Sequence, residues 1–118
     1  MTVKRNPFNR RIGKNAVGTS DTLDDIKVPG GWRRCYQRFG VLNDTTAYTL
    51  LRFVDGGVDP EFIISEAQNP AIDEYLWDDQ EVWMRGEQFL RAILTGATVG
   101  DDISLHLIGY DVLIGEGD

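Results

Sequence analysis

The residue types most often used in catalysis are scarce in this chain of 118 residues. Cys35 is the only cysteine and His106 the only histidine. A cysteine and a histidine within hydrogen-bonding reach can form a nucleophilic pair, but no motif that supports such a pair flanks either residue. In a strand, His106 would point away from its neighbours Leu105 and Leu107. We therefore expect a buried structural thiol, a surface histidine and no enzymatic activity.

Five carboxylates lie between residues 73 and 81. Their oxygens could bind calcium, or a pair of them could act in glycoside hydrolysis. Their spacing matches no calcium-binding loop, and a solvated acidic loop explains the same composition. Because there is only one histidine and no glycine-rich phosphate loop, we expect no metal and no cofactor, while calcium binding at this cluster stays open. The carboxylates are Asp73, Glu74, Asp78, Asp79 and Glu81.

Three tryptophans have two competing interpretations. Trp32, Trp77 and Trp83 could stack on sugar rings, as in carbohydrate-binding β-sandwich modules, or pack in the core or in a subunit interface. Packing is the favoured interpretation in a domain of this size, and a glycan contact stays open.

The N-terminal segment is basic, whereas the rest of the chain is acidic. Residues 1–20 carry five basic side chains and no acidic one, and the other residues carry 7 basic and 19 acidic side chains, for a net charge of −7. Residues 1–30 show no sustained period of 2 or 3.6 and contain few large apolar residues. We therefore predict an extended basic arm over residues 1–30 that is disordered in the free protein, so that deleting residues 1–15 leaves folding unchanged. The expected partner-binding residues of this arm are Lys4, Arg5, Phe8, Arg10, Arg11, Ile12 and Lys14.

Charge and hydropathy also limit the partners of the chain. Nucleic acid is not the expected partner, because Phe8 is the only aromatic residue in the basic segment and the acidic body would repel a polyanion. No run approaches the roughly 18 apolar residues of a membrane helix, and no apolar signal-peptide core follows the basic residues. A protein surface is the expected partner of the arm.

Residues 31–118 are predicted to form an antiparallel β-sandwich, so that the fold class is all-β with an extended N-terminal arm. Turn residues separate short β-branched and aromatic runs, which is typical of such sheets. In the first strand, Cys35 and Phe39 are expected on the buried face, and Arg34 and Tyr36 on a basic outer face. Residues 71–80 fit a helical turn, a strand or a loop. Strands are predicted at residues 32–42, 47–54, 61–67, 82–84, 89–94, 103–108 and 110–114.

Three turn motifs resemble those of a known protein class. The chain has Val28-Pro29-Gly30-Gly31-Trp32 before the first strand, Gly86-Glu87 before a Leu-Arg-Ala strand, and Gly100-Asp101 before the final pair. This pattern resembles small jelly-roll-like structural proteins of tailed bacteriophages. The resemblance implies a homotrimeric capsid decoration protein, or a related neck or tail accessory protein, on the virion surface after synthesis in the host cytoplasm. The implied partner is the major capsid protein or another virion protein, and the alternative function is a carbohydrate-binding module.

Overall fold

The structure is a computed structural model that describes residues 5–43, 48–56, 62–68 and 76–114. These ranges contain nine strands and no helix, and therefore no helix that could span a membrane. The strands form two antiparallel sheets that pack face to face, which confirms the predicted all-β sandwich. They are β1 (Arg5–Asn15), β2 (Ser20–Asp24), β3 (Trp32–Asn43), β4 (Leu50–Asp55), β5 (Phe62–Gln68), β6 (Leu76–Asp78), β7 (Val82–Arg85), β8 (Leu90–Thr95) and β9 (Asp102–Leu113).

The strand order is that of a jelly roll. Sheet A has the order β1-β9-β3-β6, with β7 also paired to β3, and sheet B has the order β2-β8-β4-β5. Strands β6 and β7 pair with residues 39–41 and 33–36 of β3 respectively, so they form two halves of one edge strand. Counted in this way, each sheet has four strands, as in a double-sheet jelly roll.

The core lies between the inner faces of the two sheets. Leu105 and Leu107 of β9 are fully buried, as are Leu51 of β4 and Leu94 of β8. Each such side chain contributes roughly 1.5–3 kcal/mol to folding. Aromatic rings extend the core across both sheets, with an edge-to-face contact of 4.7 Å between the ring centroids of Phe39 and Phe53. The remaining apolar core residues are Ala16, Leu23, Val28, Tyr36, Val41, Tyr48, Met84, Leu90, Ala92, Ala97 and Ile103.

A β-bulge in β3 changes which side chains face the core. The register against β9 shifts between Tyr36 and Arg38, which inserts one extra residue. Arg34 and Tyr36 face inward before the bulge, and Phe39 faces inward after it. The prediction that Arg34 and Tyr36 lie on the outer face is therefore wrong, because strict alternation cannot represent the bulge. Cys35 belongs to the outer face of sheet A, although it is fully covered.

Strand β9 runs without interruption through Gly109, where the sequence predicts a break between two strands. A side chain on Gly109 would overlap the carbonyl oxygen of Cys35 and would lie 2.9 Å from Cζ of Phe8. The glycine therefore allows β1, β3 and β9 to approach closely beside the bulge. The residues predicted as two strands form one long central strand.

The prediction of an N-terminal arm outside the sandwich is wrong for residues 5–24. Strand β1 pairs with β9 along its full length, from Arg5 opposite Val112 to Asn15 opposite Asp102, and β2 pairs with β8 in sheet B. The sandwich therefore begins within residues 1–30, and deletion of residues 1–15 would remove an edge strand. Lys4, like residues 71–75 of the ambiguous segment, lies outside the described residues.

Candidate functional site

The outer face of sheet A carries an exposed tryptophan beside a half-buried tyrosine. Trp83 of β7 and Tyr110 of β9 both lie opposite Cys35, and their rings make an edge-to-face contact with centroids 5.8 Å apart. Trp83 is 48% exposed. Its Nε1 donates a hydrogen bond to Oε1 of Glu81 at 2.7 Å. The indole is therefore held in place while much of its surface remains open to a partner.

A second aromatic group lies further along the same face. Gly40 of β3 lies between Trp77 of β6 and His106 of β9 in the sheet. Because Gly40 has no side chain, the rings of Trp77 and His106 can approach each other, and their centroids are 5.3 Å apart. The guanidinium of Arg38 stacks on Trp77 at 4.1 Å from the ring centroid. His106 Nε2 is hydrogen-bonded to Oδ1 of Asn9. Trp77 is thus half-buried among its neighbours and offers less open surface than Trp83.

Beside Trp83, three arginines lie in one row across sheet A. Arg85 lies opposite Arg33, Arg33 lies opposite Val112, and Val112 lies opposite Arg5. All three arginines are exposed, whereas Val112 beneath them is only 6% exposed. We call Arg5, Arg33 and Arg85 the arginine row. It is a local concentration of positive charge on a chain with a net charge of −7.

A buried ionic cluster lies between the two sheets. Arg10 donates through Nε and Nη2 to both carboxylate oxygens of Asp25, at 2.6 and 2.7 Å. Arg34 donates through Nη1 to Asp25 Oδ2 at 3.1 Å and through Nε to Asp111 Oδ1 at 2.7 Å. The hydroxyl of Tyr36 also donates to Asp25 Oδ2. We call these five residues the Asp25 cluster.

Burial and the neighbouring groups together set the charge states of Arg34 and Tyr36 in the Asp25 cluster. Burial alone would lower the pKa of Arg34, but its hydrogen bonds with Asp111 and Tyr36 and the charge of Asp25 outweigh burial and raise it. Burial, followed by the negative charge of Asp25, raises the pKa of Tyr36. The arginine therefore stays charged and the phenol stays protonated at neutral pH.

The Asp25 cluster connects four parts of the fold rather than forming an open site. Arg10 comes from β1, Asp25 from the segment after β2, Arg34 from β3 and Asp111 from β9. The ring of Phe8 lies 4.0 Å from the guanidinium carbon of Arg10 and packs against the core. Because the carboxylate of Asp25 is already bonded on both oxygens, we assign the cluster a structural role.

The structure divides the residues predicted to bind a partner. Phe8 and Ile12 are partly buried against the core. Arg10 pairs with Asp25, and Lys14 Nζ lies 3.5 Å from Asp21 Oδ1. Arg5 and Arg11 are exposed on the outer face of sheet A. The described residues of the set Lys4, Arg5, Phe8, Arg10, Arg11, Ile12 and Lys14 thus include both strand-anchoring and surface residues.

Sequence reasoning missed Arg33 and Arg85 as members of a site. These two residues lie more than fifty positions apart in the chain, and only the pairing of β3 with β7 brings them together. The available signal was the basic run at Arg33 and Arg34. Strict alternation predicts Arg34 on the basic outer face of β3, whereas the structure places Arg33 there.

Cys35 and His106 do not form a nucleophilic pair. Cys35 lies opposite Tyr110, which is four residues beyond His106 on β9, a distance of about 13 Å along the strand. Burial raises the pKa of the Cys35 thiol, although a hydrogen bond with Tyr110 opposes this effect. A buried, protonated thiol is a poor nucleophile, so this part of the face offers no catalytic pair.

The described carboxylates of the acidic cluster have other partners. Asp78 accepts hydrogen bonds from Gln80, Asp79 pairs with Arg38, and Glu81 accepts from Trp83. Within the described ranges, no group of three or more potential ligands is placed to hold a metal ion. Residues 73 and 74 lie outside those ranges.

A cavity of about 150 Å³ opens between β5 and β6. It is smaller than the roughly 300–1,000 Å³ typical of small-molecule sites, and Glu66 at its rim is paired with Arg52 at 3.2 Å. The outer face of sheet A is therefore the stronger candidate for function. The residues that line the cavity are Phe53, Ser65, Glu66, Ala67, Trp77 and Asp78.

The three tryptophans do not form a single platform. Trp32 begins β3 and is partly buried against the core, whereas Trp77 and Trp83 lie on the outer face of sheet A. A glycan-binding surface, if present, would therefore use only the latter two.

No protein-family model matches the chain, and no curated protein matches its sequence. Among solved structures, the chain is similar to one from Bacillus endospore appendages, described as disulfide-linked pili. The TM-score is 0.53 at 13% identity, over 98% of this chain and 93% of that chain. A CBM4 structure matches with a TM-score of 0.37 at 12% identity, over 86% of this chain and 82% of that chain. A structure of infectious bursal disease virus, Gx strain, matches with a TM-score of 0.40 at 13% identity, over 99% of this chain and 32% of that chain. At these identities the first likeness bears on the fold alone, and the two lower scores carry no argument.

Proposed function

We propose that the chain is a non-enzymatic structural protein of a tailed-bacteriophage particle. It acts as a capsid decoration protein, or as a related head, neck or tail accessory protein, that binds and stabilises the assembled shell. The partner is the major capsid protein or another virion protein, and the place of action is the particle surface. The jelly-roll sandwich supports a structural or binding role, and the features of sheet A support attachment to a larger assembly.

The observation that carries this proposal is the long free edge and basic outer face of sheet A on an otherwise acidic protein. Strand β1 has 11 residues, about twice the usual strand length. Within the described chain it pairs only with β9 in sheet A. Long exposed edges pair with other chains unless charges or proline oppose this. Pro7, Arg5 and Arg11 therefore disfavour indiscriminate pairing and favour an acidic partner surface.

The test is binding to heads that lack the protein. The purified chain is mixed either with such heads or with the unassembled capsid protein, and the mixtures are separated by gradient sedimentation. We expect the chain to sediment with the heads and not with the unassembled capsid protein. It should also raise the temperature at which the heads disassemble, because a ligand stabilises the state that it binds. Arg11→Glu should weaken retention, whereas Arg91→Glu on the opposite sheet should not. Heads that neither retain the chain nor gain stability would refute the proposal.

A carbohydrate-binding function is the second candidate, because Trp77 and Trp83 lie on the same exposed sheet face. Titration with oligosaccharides while following tryptophan fluorescence tests this function. Under it, Trp83→Ala should abolish the response, and Trp32→Phe, at a position outside the face, should retain it. No response to a broad oligosaccharide panel would exclude this candidate.

A further inference from the structure

We propose that the edge of β1 from Asn9 to Asn15 accepts an extended acidic segment of a partner protein as an added antiparallel strand of sheet A. The inference rests on the proposed function in taking another virion protein as the partner. It goes further by naming the mode of attachment, the backbone groups that pair and the side-chain chemistry of the segment.

The register of β1 against β9 shows which backbone groups point away from the sheet. The N–H of Ala16 donates to the carbonyl oxygen of Asp101 at 2.7 Å, one step beyond the pair formed by Asn15 and Asp102. Hydrogen-bonded and non-hydrogen-bonded pairs alternate along an antiparallel ladder. The even-numbered residues of β1 therefore bond to β9, and the odd-numbered residues direct their N–H and C=O groups to the free edge.

The pairing of β9 with β3 gives the same alternation. The N–H of Ile114 donates to the carbonyl oxygen of Gly31 at 2.9 Å, so the even-numbered residues of β9 bond towards β3. The odd-numbered residues of β9 then bond towards β1, where they lie opposite even-numbered residues in a register without shifts. Among the described residues, no other backbone group bonds to the outward groups of β1.

Proline limits the open part of this edge to the second half of β1. Pro7 is odd-numbered, so the N–H that it lacks is one that would face the free edge, where proline is tolerated. Every odd-numbered position after it keeps both its donor and its acceptor, over about 20 Å of strand. We call these positions the free-edge residues; they are Asn9, Arg11, Gly13 and Asn15.

The side chains of β1 favour an acidic segment. Strand β1 contains four basic residues and no acidic one. Arg10 and Lys14 are inward-facing and lie against Asp25 and Asp21 respectively. Arg11 is exposed on the outer face and forms no ion pair with any described residue. A carboxylate opposite Arg11 on an added strand would lie beside its guanidinium, and opposite charges at such positions stabilise a sheet.

A second copy of this chain is a poorer occupant of the edge. Two paired β1 strands would bring basic side chains together, which destabilises a sheet. Strands β2 and β5 form the edges of sheet B, but their described carboxylates already have partners on the same chain. These pairs are Asp21 with Lys14, Asp24 with Arg91 and Glu66 with Arg52. A different protein therefore supplies the segment.

The test uses a fluorescein-labelled peptide of alternating glutamate and valine, long enough to cover residues 9–15, and fluorescence anisotropy. With its glutamates on the outer face, the peptide pairs through the N–H and C=O groups of those glutamates, because directly opposed residues share a face. N-methylation of the glutamate amides should abolish binding to the parent protein. N-methylation of the valine amides, which point to the new outer edge, should leave binding unchanged.

Gly13 provides a matched pair of protein variants. Gly13→Pro removes a free-edge N–H and places its ring where the added strand would lie, so peptide binding should weaken about tenfold or more. Gly13→Ala keeps the N–H, and its methyl group makes only contacts of 3.5 Å or longer, so it should bind like the parent. The methylated peptides test the parent protein, so the result does not depend on the folding of Gly13→Pro.

A second pair of variants tests the charge. Arg11→Gln should weaken peptide binding about two- to fivefold, whereas Arg91→Gln on sheet B should not change it. A peptide with lysine in place of glutamate should not bind.

Four outcomes would contradict part of this account. Equal binding of the two methylated peptides, or binding of the lysine peptide as tight as that of the glutamate peptide, would overturn the proposal. If the glutamate peptide does not bind and Gly13→Pro instead converts an oligomer to monomers in sedimentation, the edge joins copies of this chain and the proposal fails. If heads retain Gly13→Pro as well as Gly13→Ala, this inference fails while the proposed function stands. If the peptides behave as expected but heads do not retain the parent, the proposed function fails instead.

Discussion

Asp25 shows how the stability of a buried ionic cluster can depend on one carboxylate. Both of its oxygens accept hydrogen bonds from Arg10, and Arg34 and Tyr36 share one of them. Buried ion pairs add little net stability compared with apolar packing, but removal of one partner leaves the other charge buried and uncompensated. The adjacent Asp24 provides the contrast, because it pairs with Arg91 at the surface.

We predict that Asp25→Asn lowers the free energy of unfolding by about 3–5 kcal/mol, since Arg10 and Arg34 lose their shared counter-charge. Asp24→Asn should cost less than about 1 kcal/mol, as expected for an exposed pair. Urea denaturation of the two variants and the parent measures both values. Similar costs for the two substitutions would contradict a buried ionic cluster.

Tyrosine ionisation predicts a loss of stability in alkaline solution. Burial raises the pKa of Tyr36 and of Tyr48 above the value of about 10 for an exposed tyrosine. The folded state therefore holds its phenolic protons more tightly than the unfolded state, so this contribution is complete below about pH 10 and is lost as the pH rises further. We expect the free energy of unfolding to fall above about pH 10, and to fall less steeply in Tyr36→Phe. An identical slope in the variant and the parent would refute this assignment.

At the scale of elements, β1 is held by contacts that local sequence patterns do not reveal. Its inward positions alternate between Phe8, Arg10, Ile12 and Lys14. Only two of the four are apolar, so the sequence lacks the period-two hydrophobic signal of a half-buried strand. The two cations are accommodated by acidic partners after or within β2, which become neighbours only in the fold.

We predict that Phe8→Ala lowers the free energy of unfolding by about 2–4 kcal/mol, because Phe8 packs between Arg10 and the core. Arg11→Ala, at an exposed position of the same strand, should change it by less than about 0.5 kcal/mol. Thermal and urea unfolding of the two variants provide the comparison. No effect of Phe8→Ala would restore the interpretation of this segment as a detached arm.

The sequence predicts the later strands better than the earlier ones. Leu90, Ala92 and Leu94 alternate without interruption and make β8 recognisable, and the alternation of Leu105 and Leu107 correctly places His106 on the outer face. Strand β3 is located correctly and Phe39 is correctly placed inward, but the residues before the bulge are assigned to the wrong faces, because the extra residue reverses the alternation there. The candidate site was less predictable, since the arginine row exists only through pairing between distant strands.

Gly109 provides a direct test of the close approach between β3 and β9. We predict that Gly109→Ala lowers the free energy of unfolding by at least about 3 kcal/mol, because the added methyl group meets the backbone of β3 rather than only a movable side chain. Gly13→Ala in β1 is the matched control, since its methyl group would make only ordinary contacts, 3.5 Å or longer. Chemical denaturation compares the two, and tolerance of Ala at position 109 would show that the strands lie further apart.

At the scale of the whole molecule, exposed apolar side chains lie at both ends of the sandwich. Val17 and Val99 are 72% and 70% exposed near the start of β9, and Leu113 and Ile114 are 44% and 46% exposed at its end. The principal extents are 49 × 26 × 21 Å. Surfaces of this kind suit contacts between subunits.

We predict that the purified protein is a homotrimer. Sedimentation equilibrium should give about three times the 13.3 kDa chain mass, because apolar residues exposed on one chain can be covered by its neighbours. Substitution of Val17 and Val99 by Asp should shift the equilibrium towards monomer. A parent protein that remains a monomer at micromolar concentration would contradict the prediction.

The central position of β9 in sheet A has a consequence for how the chain acquires its fold. Strand β9 follows every other described strand in the chain, yet both β1 and β3 pair with it. During synthesis, therefore, two long strands await a partner that emerges after them. Such distant pairing predicts slow folding, on the millisecond to second scale, with strand edges open to wrong partners in the meantime. A chain terminated before Asp102 would consequently leave β1 without its partner in sheet A, and β3 paired only with β6 and β7.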